Sequence, residues 1–356
     1  MNAPTLVLAA LLAFVSPPAG DKPAAALLGL DPVELCQGRE TKGDEAIDLV
    51  HGRYRYVFAS AESRAAFEKD PARYRIQMGG GCGRMGPLSG AGFPGRYAVH
   101  DGKIYIFASD GCRKGFLANP EAHLEKPDAR PEGSAADREK GKALLSRAAE
   151  ATGGEKAIAA LATYAETRRR EVKSGETDYV NVERLFFSFP GSIRTESAWN
   201  DSRWANVVSG DAGLMSGSSE KYAMDESQVA ALRHDAARHP VAILKARARP
   251  GFVAVAKGTD GGIETVEVAF DGTTTTLGVD PATGRIVKTW YRGRAGAGPP
   301  GPIEVTYSDF RDAGGGLTLP FARHVAYAGK PVDSMSGALE SIDVNPALDP
   351  ALFALE

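Results

Sequence analysis

The sequence predicts an α+β protein in two parts, a small duplicated hairpin-and-helix module followed by a larger antiparallel β domain. Three observations predict it: an internal repeat linking residues 51–71 to 100–120, a proline- and charge-rich stretch at 126–134, and a period-two alternation of apolar residues beginning near residue 163. At 356 residues the chain can hold two cores, since one domain takes about 100 to 200 residues. Hydrophobic residues make up 43% and charged residues 24%, values of an ordinary globular chain. A net charge of -3 and the absence of a long Lys/Arg run provide no field for a phosphate backbone, so nucleic acid is set aside as a partner.

Residues 5–15 form an almost unbroken apolar run, followed by Ser16-Pro17-Pro18 and the small residues Ala19-Gly20. This pattern predicts a signal peptide over 1–20 and a periplasmic or secreted protein, although no Lys or Arg precedes the run. The run is shorter than the roughly 20 apolar residues that span a bilayer, so no transmembrane anchor is expected. No cysteine follows it closely, and a lipid-modified N-terminus is not indicated.

The repeat is dense. His51-Gly52 and the strand Tyr54-Arg55-Tyr56-Val57-Phe58-Ala59-Ser60, then Arg64, Phe67 and Pro71, recur as His100, Gly102, Tyr105, Phe107, Ser109, Arg113, Phe116 and Pro120. Each copy reads as a glycine turn, an aromatic strand, a short helix with one buried Phe and a terminating proline. So small a unit buries little surface alone, and two copies packed together are expected to share a core. His51 and His100 precede equivalent turns, which points to a structural role for both. Residues 126–136 read as the linker.

In the β domain, residues 138–151 place Leu144, Leu145, Ala148 and Ala149 on one helical stripe that Gly153-Gly154 ends. Strands follow in which Val180, Val182 and Phe186, then Val266, Val268 and Phe270, then Ile303, Val305 and Tyr307 line an apolar face, with the other face wet. Turns such as Asp271-Gly272 and Gly314-Gly315-Gly316 predict an antiparallel meander. A helical interruption at 226–248, restarted by Pro240, is expected to cover the open side of a curved sheet.

With those residues in view, Leu30-Asp31-Pro32-Val33, the Tyr-x-Phe-Ala-Ser strand and Asp70-Pro71-Ala72-Arg73-Tyr74 resemble the YHS domain, in tandem over 29–125. Cys82-Gly83-Arg84-Met85 is similar to that family's Cys-Gly-Met knuckle, and residues 107–116 to its Phe-Cys-Ser-x-x-Cys segment. The resemblance implies a small metal-binding module, often tied to copper. Ala108 stands where a family cysteine often lies, Ser63 replaces Cys112 in the first copy, and Glu34 takes that copy's knuckle position with Cys36 displaced. The first copy is therefore read as structural.

Residues 137–356 resemble the outer-membrane lipoprotein-sorting family of carriers. The helix before the first long strand, Leu317-Thr318-Leu319-Pro320, and the closing Ile342-Asp343-Val344-Asn345 carry the likeness. It implies an incomplete β-barrel plugged by helices that sequesters an acyl chain, with no catalytic residues.

Cys82, Met85 and Cys112 are the candidate metal ligands, because thiolate and thioether suit Cu(I); zinc would need further donors, which His100 or His123 could supply. A disulfide between Cys82 and Cys112, or inert buried thiols, are the alternatives, with Cys36 left over. The letters Gly296-Ala297-Gly298-Pro299-Pro300-Gly301 match a dinucleotide fingerprint, yet the prolines forbid the helix it needs. His234 and His239 are five apart and share no helix face. Arg168-Arg169-Arg170 reads as a solvated strand stretch. No nucleophile, base and orienter assemble from local motifs, so an exported, non-enzymatic binding protein for a lipid or lipoprotein acyl chain is expected, its front module holding a copper or zinc ion. The alternative is a cell-envelope structural or interaction protein with a closed core and a structural Cys82–Cys112 disulfide. A cavity of at least about 300 Å³ separates the two.

Overall fold

The computed structural model of the chain describes residues 23–174, 177–217, 220–296 and 298–356; the expected signal peptide over 1–20 lies outside the described residues. Among those residues no helix is long and apolar enough to cross a membrane.

The front module opens with α1 (Pro32–Cys36), then repeats one unit. Its first copy is β1 (Asp44–His51), β2 (Tyr54–Phe58), α2 (Ala61–Lys69) and α3 (Pro71–Tyr74); its second is β3 (Phe93–His100), β4 (Lys103–Phe107), α4 (Asp110–Ala118) and α5 (Pro120–His123). Local chemistry explains the match. Ser60 and Ser109 cap α2 and α4 by accepting from the backbone N–H of Ser63 and Cys112, and Asp70 and Asn119 cap the proline-initiated α3 and α5. Asp101 and Gly102, with φ of 50° and 63°, form the two-residue hairpin turn of the second copy. Phe67 and Phe116 are fully buried centres, each flanked by the Tyr and Phe of its own hairpin at 4.9 to 5.4 Å between rings. The two cores meet along β4, which sends Ile104 and Ile106 into the first copy's cluster and Tyr105 and Phe107 into the second's. Each such buried side chain contributes roughly 1.5–3 kcal/mol, so the shared strand does much to hold the copies together.

The β domain begins with α6 (Ala135–Thr152), started by a Ser134/Asp137 capping box and stopped at Gly153, and with α7 (Gly154–Ala160). A first run of strands comprises β5 (Thr163–Ser174), β6 (Thr177–Ser188), β7 (Ser192–Trp199), β8 (Ser202–Ser209), β9 (Ala212–Ser216) and β10 (Lys221–Ala223). Helices α8 (Glu226–Ala237) and α9 (Pro240–Ala246) intervene, with Pro240 at the start of α9 as its sequence position predicts. The second run is β11 (Val253–Asp260), β12 (Ile263–Phe270), β13 (Thr273–Val279), β14 (Ile286–Gly293), β15 (Gly301–Asp312), β16 (Thr318–Tyr327), β17 (Lys330–Pro331), β18 (Gly337–Ala338) and β19 (Ser341–Val344).

The named strands of the β domain pair antiparallel, and two expectations need correction. One incomplete barrel was expected, whereas the strands form two open sheets: β10-β9-β8-β7-β6-β5-β19 and β11 through β17 in sequence order, with β18 on β16. The α8–α9 insertion separates β10 from β11 and breaks the ladder there. The second correction concerns strand phase. On β6 the deepest residues are Asn181 and Phe187, the opposite face from Val180, Val182 and Phe186. Both faces of that strand carry apolar residues, so alternation alone does not identify the inner one. On the second sheet the expected faces hold: Val266, Val268, Ile303 and Val305 are all buried.

Helices α6 to α9 fill the space between the sheets, joining Leu144, Leu145, Ile158, Ile243 and Leu244 to Val266, Leu277 and Ile286 in one cluster. The stretch before α6 lies along the second sheet: Thr274 donates from its backbone N–H to Asp128 (2.9 Å) and from its hydroxyl to the Ala129 carbonyl (2.8 Å). The front module docks on α8. Leu88 packs against Val208, Val229 and Leu232, and the Gln228 amide donates to the Pro87 carbonyl at 3.0 Å. Arg294 clasps the module's second copy through the Arg84 carbonyl and, at the end of α5, the His123 carbonyl, at 3.2 and 2.5 Å.

Candidate functional site

The α8–α9 plug divides the intersheet space into two compartments of different chemistry. The first is a cavity of about 420 Å³ lined by charged residues of both sheets. Alternation on β5 points Tyr164, Glu166 and Arg168 inward. Register then places Arg168 directly across from Glu183, and Arg170 across from Asn181. Arg168 is only 4% exposed; it pairs with Glu183 and donates to the Ser336 and Ser334 carbonyls at 3.0 and 3.2 Å. The expectation of a solvated arginine stretch is thus corrected: Arg169 alone faces water, and its neighbours turn inward by strand geometry.

Glu166 ties the compartment together. Its carboxylate accepts from the Tyr164 hydroxyl at 2.9 Å, lies 3.3 Å from His239 Nε2 and 3.7 Å from Arg323 on the opposite sheet. Burial pushes this carboxyl up, but the His239 hydrogen bond, Arg323 and Tyr164 outweigh it and hold the group at about 2. His239 Nδ1 accepts from the Val241 backbone N–H at 3.3 Å, which leaves Nε2 as the ring's donor to Glu166. Burial raises the Tyr164 and Tyr307 hydroxyls, so both remain protonated donors.

The second compartment is a groove of about 840 Å³ on the other side of the helix junction. Phe187, Phe189, Ile193, Ala242 and Phe270 form an apolar floor, and Arg233, Lys245 and Arg249 stand on the rim. Arg233 is engaged by Asp211 (3.1 Å) and Arg249 by both oxygens of Asp271 (2.7 and 2.8 Å). Lys245 donates to the carbonyls of Ile158 (3.2 Å) and Ala159 (2.6 Å), lies 5.9 Å from the Phe189 ring, and has no carboxylate partner among the described residues. Burial lowers its ammonium from the usual lysine range. His234 lines this rim and His239 the charged cavity, so the two histidines serve different compartments. Residues 298–300 lie in no helix and lead directly into β15, and the Pro299 carbonyl accepts from Tyr327 at 2.9 Å.

Of the predicted metal ligands, the structure gathers Cys82, Met85 and Cys112 in one cluster around Phe107 and Phe116. His100 lies at the edge of that cluster, bonded to Glu121 at 3.0 Å and edge-on to Phe116, as His51 is edge-on to Phe67. His123 Nδ1 is engaged by the Arg84 carbonyl at 3.1 Å. All three cysteines are free thiols, and among the described residues no three His, Cys, Asp or Glu converge on a metal position. Two thiols and a thioether fall short of the four donors that hold zinc; in donor type they match only a soft monovalent ion. Burial pushes the Cys82 thiol up, whereas the Ser109 hydroxyl, and after it Cys82 and Arg84, hold the Cys112 thiol down.

No protein-family model matches the chain, and no curated protein matches it. The YHS-like reading of 29–125 therefore has no support outside its own motifs. Among solved structures the chain is similar to a domain named for outer membrane lipoprotein sorting from Vibrio parahaemolyticus, at 11% identity over 61% of this chain and 97% of that one, with a TM-score of 0.37. It is also similar to a DUF1329 family protein from Desulfovibrio piger and to a LolA superfamily protein from Nitrosomonas europaea, each at 10% identity over 60% of this chain and 97% of the other, with TM-scores of 0.38.

Proposed function

We propose that this protein is a non-enzymatic binding protein of the cell envelope for an anionic amphiphile, whose apolar chain lies on the aromatic floor of the groove and whose head meets the rim at Lys245. The observation that carries this reading is the pairing of the 840 Å³ apolar groove with a rim cation lacking a described carboxylate partner. Groove and charged cavity both exceed the volume below which a closed core would be favoured. An acyl chain burying about ten methylenes gains about 8 kcal/mol. That is comparable to the roughly 4–15 kcal/mol lost on association, so the head contact decides whether binding is measurable.

Displacement of a fluorescent long-chain fatty acid tests the reading. Saturable binding is expected, weakened at least about tenfold by Ala242→Trp, which fills the floor. Lys245→Gln should weaken the fatty acid several-fold and leave its methyl ester unchanged. Absent binding, or binding indifferent to Ala242→Trp, overturns the proposal.

A further inference from the structure

The two copies of the front module are related by 49 residues from their hairpins onward, and by 51 residues before them, because the connecting segment is two residues shorter in the second copy. Hydrogen bonding establishes this register. The Ala59 backbone N–H donates to Asp31 Oδ2 at 2.7 Å, and its counterpart Ala108 donates to Cys82 Sγ at 3.4 Å. Asp31, not Glu34, is thus the first copy's equivalent of Cys82, and Ser63 is the equivalent of Cys112.

In the first copy these positions touch: the Ser63 hydroxyl donates to Asp31 Oδ2 at 2.5 Å. In the second copy the same two positions carry sulfurs: Cys82 accepts from the Ala108 backbone N–H, and Cys112, whose backbone N–H donates to Ser109 as that of Ser63 donates to Ser60, packs into the cluster that holds Cys82. The two thiols differ in access. Cys82 is fully buried among Phe107, Phe116 and Ala98, whereas Cys112 is partly exposed in the first turn of α4. Cys36 belongs to the other copy's core and takes no part.

We propose that Cys82 and Cys112 form a two-electron thiol–disulfide couple in which Cys112 is the attacking sulfur and Cys82 the resolving one. The electron acceptor is a small-molecule disulfide. The Cys112 thiolate, its proton released to solvent, attacks one sulfur of that disulfide; an S–S bond forms, the incoming S–S bond breaks, and one thiolate leaves. Cys82, deprotonated in turn, attacks the Cys112 sulfur of the mixed disulfide and expels the second thiolate. The protein's two thiols are oxidised to one disulfide and the incoming disulfide is reduced to two thiols. Burial keeps Cys82 from meeting the small molecule directly, so the order of attack follows from the packing. The proposal does not depend on the groove.

Incubation of the full-length protein across a series of reduced-to-oxidised glutathione ratios, followed by alkylation and peptide mass mapping, tests it. Two of the three thiols should disappear together, with a Cys82–Cys112 crosslink that reduced glutathione reopens. Cys82→Ser should accumulate one glutathione adduct on Cys112, Cys112→Ser should accumulate none on Cys82, and Cys36→Ser should behave as the parent. The proposal is overturned if both thiols stay reduced at the most oxidising ratio, or if the bond, once formed, resists reduced glutathione. It is also overturned if Cys82 takes up glutathione in Cys112→Ser as readily as Cys112 does in Cys82→Ser. Should either serine variant fail to fold, the crosslink map of the parent protein decides alone.

Discussion

His239 Nε2 lies 3.3 Å from Glu166 Oε2, a contact that fastens the junction of α8 and α9 to the inner face of β5. Because that carboxylate also approaches Arg323 across the gap, one side chain joins both sheets and the plug between them.

Glu166 should therefore make stability depend on pH. Its folded-state value of about 2 lies below the ordinary 4.5, so its contribution is present above the ordinary carboxylate range and lost as pH falls through 4.5 toward 2. The shift corresponds to about 3 kcal/mol. In urea unfolding at neutral pH, Glu166→Gln is expected to be destabilised by about 2–3 kcal/mol. The gap to the parent should close by pH 2 to 3; a gap constant with pH would show that the carboxylate's charge is not what stabilises the junction.

Arg168 and Glu183 form a cross-strand ion pair with one deeply buried partner. Removing Arg168 leaves Glu183 with Arg170 alone, at 3.3 Å, so Arg168→Leu is expected to cost about 1–3 kcal/mol and the double variant with Glu183→Leu less. Equal losses in the single and double variants would mean that the Ser334 and Ser336 carbonyls are Arg168's important partners.

Asp271 neutralises Arg249 at the groove rim through two hydrogen bonds. Asp271→Asn should free a cation and tighten an anionic amphiphile several-fold at low ionic strength, an effect that fades as salt approaches about 1 M, where the screening length is about 3 Å. Titrations at two salt concentrations check this, and an unchanged affinity at both would place the ligand's head elsewhere.

Leu88 is the module's apolar anchor on α8. Burying a carboxylate there is unfavourable, so Leu88→Asp should undock the module, expose residues 126–134 to protease and leave the β domain's own unfolding nearly unchanged. Limited proteolysis with mass mapping reads the outcome.

Much of the fold is written locally. The repeat, its aromatic centres, the stop at Gly153, the onset of strands at Thr163 and the restart at Pro240 each follow from neighbours within a few residues. The candidate sites depend on remote partners. Arg168 looks like one of three solvated arginines until the Ser334 and Ser336 carbonyls, more than 160 residues away, take up its donors. The equivalence of Asp31 and Cys82 is hidden by a two-residue difference in connection length, and the division of one sheet into two depends on where α8 and α9 lodge. Phe189, Ala242 and Phe270 carry no motif; only the meeting of the turn after β6 with α9 and β12 makes them a floor.

Helix α8 presents Val229 and Leu232 to the front module, Ala230 and Arg233 to the groove, and Asp235 with Ala236 to the charged cavity. A single rod serving as the common partition of three rooms cannot be nudged from one side without changing the width of the others. Whatever tightens or slackens the grip of Leu88 is thereby felt at both compartments, through the rigid-body displacement of twelve residues.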